Sequence, residues 1–258
     1  MLFPFSILVV FLAAQAAQQP SSDHQDQPRG RTYDYTMPEG HHHHNMSLPV
    51  EPMDPLKQAK LLADKKESEF NHHLAGFFVV LGGVLILVQT ALGKRSLLKY
   101  IWPASFLLSG IFVLVWSDTE LWPFGSHHWL DTLRHNREVL QHKVFAGLLL
   151  GIGSIEWLRL KDRLKTTWSA MVFPVLAIGG SILLLFHQHE AGMQGPDHMD
   201  LMARIQAQHL SFAVVGIAIG LTKGLSEIGL QIRYRRVCST LWPLLMIGLG
   251  VLLMFYRE

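Results

Sequence analysis

The sequence predicts an all-α fold: a six-helix transmembrane bundle built from three repeated helical hairpins, preceded by a signal peptide and a disordered His-rich arm. Three observations carry that expectation. Only 16% of the residues are charged while 49% are hydrophobic, and an average soluble domain has roughly 25% charged residues. The charges are crowded into a few stretches, with six almost purely apolar segments between them. Histidines and prolines recur in these segments at spacings of roughly 70 residues, the mark of an internal repeat.

Residues 2–14 are apolar and lead into Ala14-Gln15-Ala16, the small-x-small form of a signal-peptidase site, so residues 1–17 read as a signal peptide. No Lys or Arg precedes the apolar core, which leaves an uncleaved anchor as the alternative. Residues 18–55 are rich in Pro, Gly, Ser, Gln, Asp and His and hold too few large apolar side chains to close a core, which predicts a flexible arm. Residues 56–73 carry helix formers and mixed charges and predict an interfacial helix running into the membrane domain, 74–258.

The six expected spans are 74–92, 100–116, 144–160, 169–186, 210–225 and 241–256. At about 1.5 Å per residue the first is long enough to cross a hydrocarbon core near 30 Å. The third and fifth are interrupted by Glu156 and Lys223, which must be shielded by neighbours or lie near the interface. Short loops that retain Lys and Arg face the cytoplasm. Lys94, Arg95 and Lys99, then Arg159, Lys161, Arg163 and Lys165, then Lys223, Arg233, Arg235 and Arg236 mark one such side. The expected location is the bacterial cytoplasmic (inner) membrane, with the arm and the His-rich loops extracytoplasmic. All 15 histidines then fall on the outer side or at outer helix ends.

The repeat sharpens this picture. His72, His142 and His209 open the odd spans, and each is followed by a glycine at the same offset, Gly83, Gly153 or Gly220. Pro103, Pro174 and Pro243 mark the even spans, each preceded by Trp102, Phe173 or Trp242 and followed by Gly110, Ser181 or Gly250. Proline suits the first turn of a helix, and small residues let helices approach closely in lipid. Beyond them Asp118, His189 and Glu258 end the even spans. The odd-span histidines and these even-span ends share one depth.

Before the third span, His128, Asp131, His135 and His142 fall on one stripe of a continuous helix. Before the fifth, His198, Met202 and His209 do the same, while His187, His189 and Glu190 end the fourth span and His72 and His73 open the first. Imidazole with thioether suits copper; imidazole with carboxylate also suits zinc, iron or nickel. Met193, Met199 and Met202 tilt the preference to copper ion, with zinc or haem as other cofactors. In the arm, His41, His42, His43 and His44 stand beside Met46, a metal-collecting tract.

In helix pattern and in the gathering of these His and Met residues on one face, the chain resembles the bacterial copper-resistance D type of multi-span membrane proteins over roughly residues 67–258. That resemblance implies periplasmic copper handling and assigns no individual role.

The expected function is capture of copper for tolerance, uptake or delivery. A haem b-binding electron-transfer protein with His142 and His209 as axial ligands is the alternative, and a metal-dependent membrane enzyme a second one. No HExxH, Gly-x-Ser-x-Gly or glycine-rich phosphate loop supports an enzyme. Cys238 is the only cysteine, so no Cys-based zinc or iron-sulfur site forms within the chain. A net charge of +2 excludes a strongly basic nucleic-acid binder. The expected partners are the lipid bilayer, a metal ion and a periplasmic metal-carrier or membrane partner protein.

Overall fold

The structure is a computed structural model that describes residues 54–93, 97–121, 123–187, 196–228 and 231–258. The chain divides into two units, Met1–Asp54 and Pro55–Glu258. The signal peptide and nearly all of the arm, with His41 to His44 and Met46, lie outside the described residues.

Among the described residues the fold is all-helical. The helices are α1 (Pro55–Leu92), α2 (Trp102–Trp116), α3 (Trp129–His135), α4 (Arg137–Leu160), α5 (Thr167–Leu184), α6 (Pro196–Glu227) and α7 (Ile232–Met254), with a 3-10 turn over Leu97–Tyr100. Four of them are long and apolar enough to cross a membrane: α1, α5, α6 over Met199–Glu227, and α7. This marks the chain as a membrane protein. The remaining two expected spans do not reach that standard. Helix α2 has 15 residues, about 22 Å at 1.5 Å per residue, short of a 30 Å core. Helix α4 is long enough but is charged at both ends, by Arg137, Glu138 and Lys143 and by Glu156 and Arg159.

Local sequence explains the ends. Pro55 opens α1, where its missing N–H is no loss, and Gly93 closes it at φ +80°, its N–H reaching the Gln89 carbonyl. The interfacial segment and the first span are therefore one unbroken helix. Pro103 sits in the first turn of α2. Pro174 and Pro243 do not occupy first turns, because α5 and α7 begin about two and three turns earlier; both lie inside their helices. Each removes one backbone donor from its helix ladder.

Six helices form a closed ring in which each packs on two others: α1 on α2 and α7, α4 on α2 and α5, and α6 on α5 and α7. The same close approach recurs at three of these interfaces. A Cβ on Gly83 would lie 2.8 Å from the Pro243 carbonyl oxygen and from Ile247. One on Gly220 would lie 2.9 Å from the Pro174 carbonyl oxygen and 2.6 Å from Ile178, and one on Gly153 would lie 2.8 Å from Leu107. Replacing Gly83 with valine should force α1 from α7 and lower stability by about 1–3 kcal/mol, read as a lower thermal midpoint in detergent.

The outward faces stay apolar, with Phe77, Val84 and Val88 on α1 and Leu210, Val214 and Leu221 on α6 all exposed. Scattered over several helices, such faces suit lipid rather than water. Inside the ring Ile86, Trp102, Phe106, Ile152, Phe173, Ile219, Trp242 and Met246 form a buried cluster toward one end. The opposite end holds the histidines.

Candidate functional site

Helices α1, α4 and α6 each bring one histidine to the same pole of the ring, and the chain just beyond α5 brings a fourth. The rings of His142 and His187 lie 5.5 Å apart between centroids, those of His187 and His209 5.1 Å, and those of His209 and His72 5.9 Å. Tyr256, just beyond α7, stacks on His72 at 3.9 Å and lies 5.8 Å from His209. Four imidazoles thus form one contiguous run.

The nitrogens of these rings are oriented by neighbours. His142 Nδ1 donates to Asp118 Oδ1 at 2.9 Å, His187 Nδ1 to Gln141 Oε1 at 2.6 Å, and His72 Nδ1 to the Ser68 carbonyl at 2.8 Å. A neutral imidazole that donates from Nδ1 carries its lone pair on Nε2, the arrangement typical of metal-ligating histidine. Gln141 is itself fixed, donating to the Phe186 carbonyl at 3.0 Å. One ligand atom from each of Glu138, His142 and His187 lies within 4.8 Å of the others, and all three residues are half-buried. Two imidazoles and a carboxylate form a donor set for a transition metal.

Asp118 is nearly buried and is also paired to Lys143 Nζ at 2.6 Å and to the Ser117 hydroxyl at 2.6 Å. Burial pushes its carboxyl up, but the His142 hydrogen bond and charge, with Lys143 and Ser117, outweigh that and hold it at about 2. A depressed carboxylate stabilises the fold above its unfolded value near 3.8 and loses that contribution as pH falls through about 2. The contribution is about 2 kcal/mol. Metal-free protein should lose this stability between roughly pH 4 and pH 2, and Asp118→Asn should flatten that part of the thermal-midpoint profile.

The structure does not bring together everything the sequence proposed. The stripe joining His128, Asp131 and His135 to His142 is broken, because Asn136 adopts an extended conformation (φ −113°, ψ 111°) and caps α4, accepting from the Val139 N–H at 3.0 Å. His135 and Asp131 point to solvent and contact each other at 3.5 Å, and His128 is exposed ahead of α3. His73 turns to the Tyr256 carbonyl at 3.0 Å. Met202 is half-buried on α6 and is absent from the chamber wall described below. His189, Glu190 and the His198 side chain lie outside the described residues. Glu138, Gln141 and Tyr256 were missed by the sequence reading. Glu138 had a signal, since it precedes His142 by four residues and shares its helix face.

Beneath the imidazoles lies a chamber of about 280 Å3, walled by all six ring helices. His72, His142, His187 and His209 stand at its mouth, and Phe106, Ile152, Phe173, Ile219 and Met246 at its far end. Ser109 Oγ and Asn71 Oδ1, both from residues of its wall, are buried without a hydrogen-bond partner. The other buried helix serines on this wall or beside it bond back to their own helix, Ser105 to Trp102 and Ser181 to Ala177.

The far pole of the bundle holds a charged network. Arg159 Nη1 reaches Glu156 at 2.8 Å, and its Nη2 reaches Glu227 at 3.0 Å. Glu227 also pairs with Lys223, whose ammonium stands 4.8 Å from the centroid of the Trp242 ring. The charges that interrupt the third and fifth expected spans, Glu156 and Lys223, are thus linked through Arg159 and Glu227.

Comparison with family models, curated proteins and solved structures finds no match.

Proposed function

We propose that this chain is an integral membrane metal-binding protein that captures a transition metal, copper first, at its extracytoplasmic face for tolerance, uptake or delivery. The observation that carries the reading is the convergence of Glu138, His142 and His187, with the Nδ1 hydrogens of both imidazoles already tied back to Asp118 and Gln141. In this reading the site is Glu138 and the two Nε2 atoms, with His209 and His72 in reserve beside them. Copper stands first because imidazole and carboxylate sites bind Cu2+ most tightly of the divalent first-row ions. No thioether reaches the described cluster, so the cupric ion suits it better than the cuprous one. The recurring glycine contacts support a chain of three related hairpins, which would place the odd-span histidines at one depth by construction. The arm with His41 to His44 would raise the local metal concentration outside the membrane.

Haem is the second reading, favoured by the four imidazoles gathered at one pole of the ring, from which two axial ligands could be drawn. The test is elemental analysis and absorption of protein purified into lipid nanodiscs, stripped with chelator and reloaded with Cu2+ or Zn2+. A single tightly held ion per chain is expected, with copper displacing zinc. Protein that retains neither ion overturns the reading, and a strong Soret band with sharp reduced-state bands in the protein as purified transfers the site to haem.

A further inference from the structure

The chamber's shape carries information that the metal reading does not use. His142 and Ile152 on α4, like His209 and Ile219 on α6, mark its mouth and its floor, ten residues apart and therefore about 15 Å in depth. A volume of about 280 Å3 drawn out over about 15 Å, walled mainly by aliphatic and aromatic side chains, describes an elongated apolar chamber whose shape suits an unbranched hydrocarbon chain. Its wall carries few polar atoms below the mouth, chiefly the Ser109 and Ser181 hydroxyls. At the mouth the wall changes character: four imidazoles, and the Asn71 carbonyl oxygen, buried and lacking a donor.

We infer that the chamber binds a single-chain carboxylic acid. The tail lies between the six helices, and the protonated head donates to Asn71 Oδ1 beside the imidazoles. Neither a metal ion nor the capture function is required, so this inference goes beyond the metal reading. Carbon–carbon bonds of about 1.5 Å advance about 1.25 Å each along an extended chain, so the chamber accommodates about a dozen carbons. Burial of each methylene should tighten binding by about fourfold until the floor is reached, and not beyond it. Partition into lipid has no such limit.

The floor supplies its own reporter. Trp242 stands directly behind Phe173, with ring centroids 5.4 Å apart, and Trp102 stands behind Phe106 at 6.2 Å. Dodecanoic acid brominated at its terminal carbon should quench tryptophan emission from nanodisc-embedded protein in a saturable way. Plain dodecanoic acid should relieve that quenching, and octadecanoic acid should compete at least tenfold less well. Trp242→Phe should lose a large part of the signal. Ala177→Phe fills the chamber and should weaken binding at least tenfold; Ser109→Phe serves the same purpose if that variant does not fold. Glu138→Gln, at a residue outside the chamber wall, should weaken metal retention while leaving the saturable quenching in place, so the two readings fail separately. Wild-type quenching that rises with lipid-phase concentration alone, or that an unlabelled acid of any length fails to relieve, overturns the inference whatever the variants do. So does quenching unchanged in a folded filled-chamber variant.

Discussion

Protein carrying His142→Ala together with His187→Ala is expected to retain no metal at concentrations that saturate the wild type, a loss in affinity of more than about 10³-fold. Loss of a single supporting contact to a metal ligand commonly costs about 10–100-fold, and here two ligands themselves disappear, leaving Glu138 without a second donor. The comparison that gives the experiment its edge is His128→Ala with His135→Ala. Those residues were on the same stripe by sequence, yet they sit on α3 or ahead of it, in solvent, beyond the break at Asn136. That pair should bind metal as the wild type does. Elemental analysis after dialysis against a weak chelator, with helicity checked by circular dichroism, reads all three proteins. Equal metal content in the first variant and the wild type removes the proposed centre; a loss in the second moves it to the loop.

Why the sequence revealed part of this site and hid the rest follows from what each residue depends on. His72, His142 and His209 were legible because a repeat spacing and a helical period fix where a side chain stands without knowledge of its neighbours. Their meeting needs only that the hairpins close on each other. The position of Asn136 was also legible and was passed over: an Asn just before a helical run is a strong cap signal, and a cap ends any continuous stripe that runs through it. Gln141 was not legible in that way. Its value lies in a hydrogen bond to His187, and only the packing of α4 against the end of α5 supplies it. Tyr256 is similar, since stacking on His72 joins the two ends of the described membrane unit.

The helix limits tell the same story at larger scale. Pro174 and Pro243 suggested starts because proline alone favours first turns, whereas the structure extends α5 and α7 back through Thr167 and Ile232. A proline inside a membrane helix is tolerable when a neighbouring helix packs closely against it, and Gly220 and Gly83 supply that closeness against the Pro174 and Pro243 carbonyls. The apolar runs gave the helices; the tolerance of their interruptions was a property of pairs.

Glu227→Ala should be the most damaging single substitution away from the histidines, with a loss of about 3–5 kcal/mol. Glu227 is the only described residue that touches both cations of its network, Lys223 four residues earlier on α6 and Arg159 on α4. Its removal leaves the Lys223 ammonium, whose side chain is 8% exposed, facing the Trp242 and Phe173 rings alone. A ring face returns only a fraction of what a carboxylate does to a desolvated cation. Arg159 fares better, because Glu156 still holds it at 2.8 Å. The damage is therefore expected to come from an orphaned charge more than from a lost bond, and the double variant Lys223→Met with Glu227→Leu separates the two. Replacing a buried pair by apolar side chains of similar volume is often close to neutral, so the double variant should unfold near the wild-type midpoint although the single one does not. Chemical denaturation in mixed micelles reads both. A single variant within about 0.5 kcal/mol of wild type would mean that water already reaches Lys223. A double variant as weak as the single would mean that the network itself clamps α4 to α6 across the end of the ring.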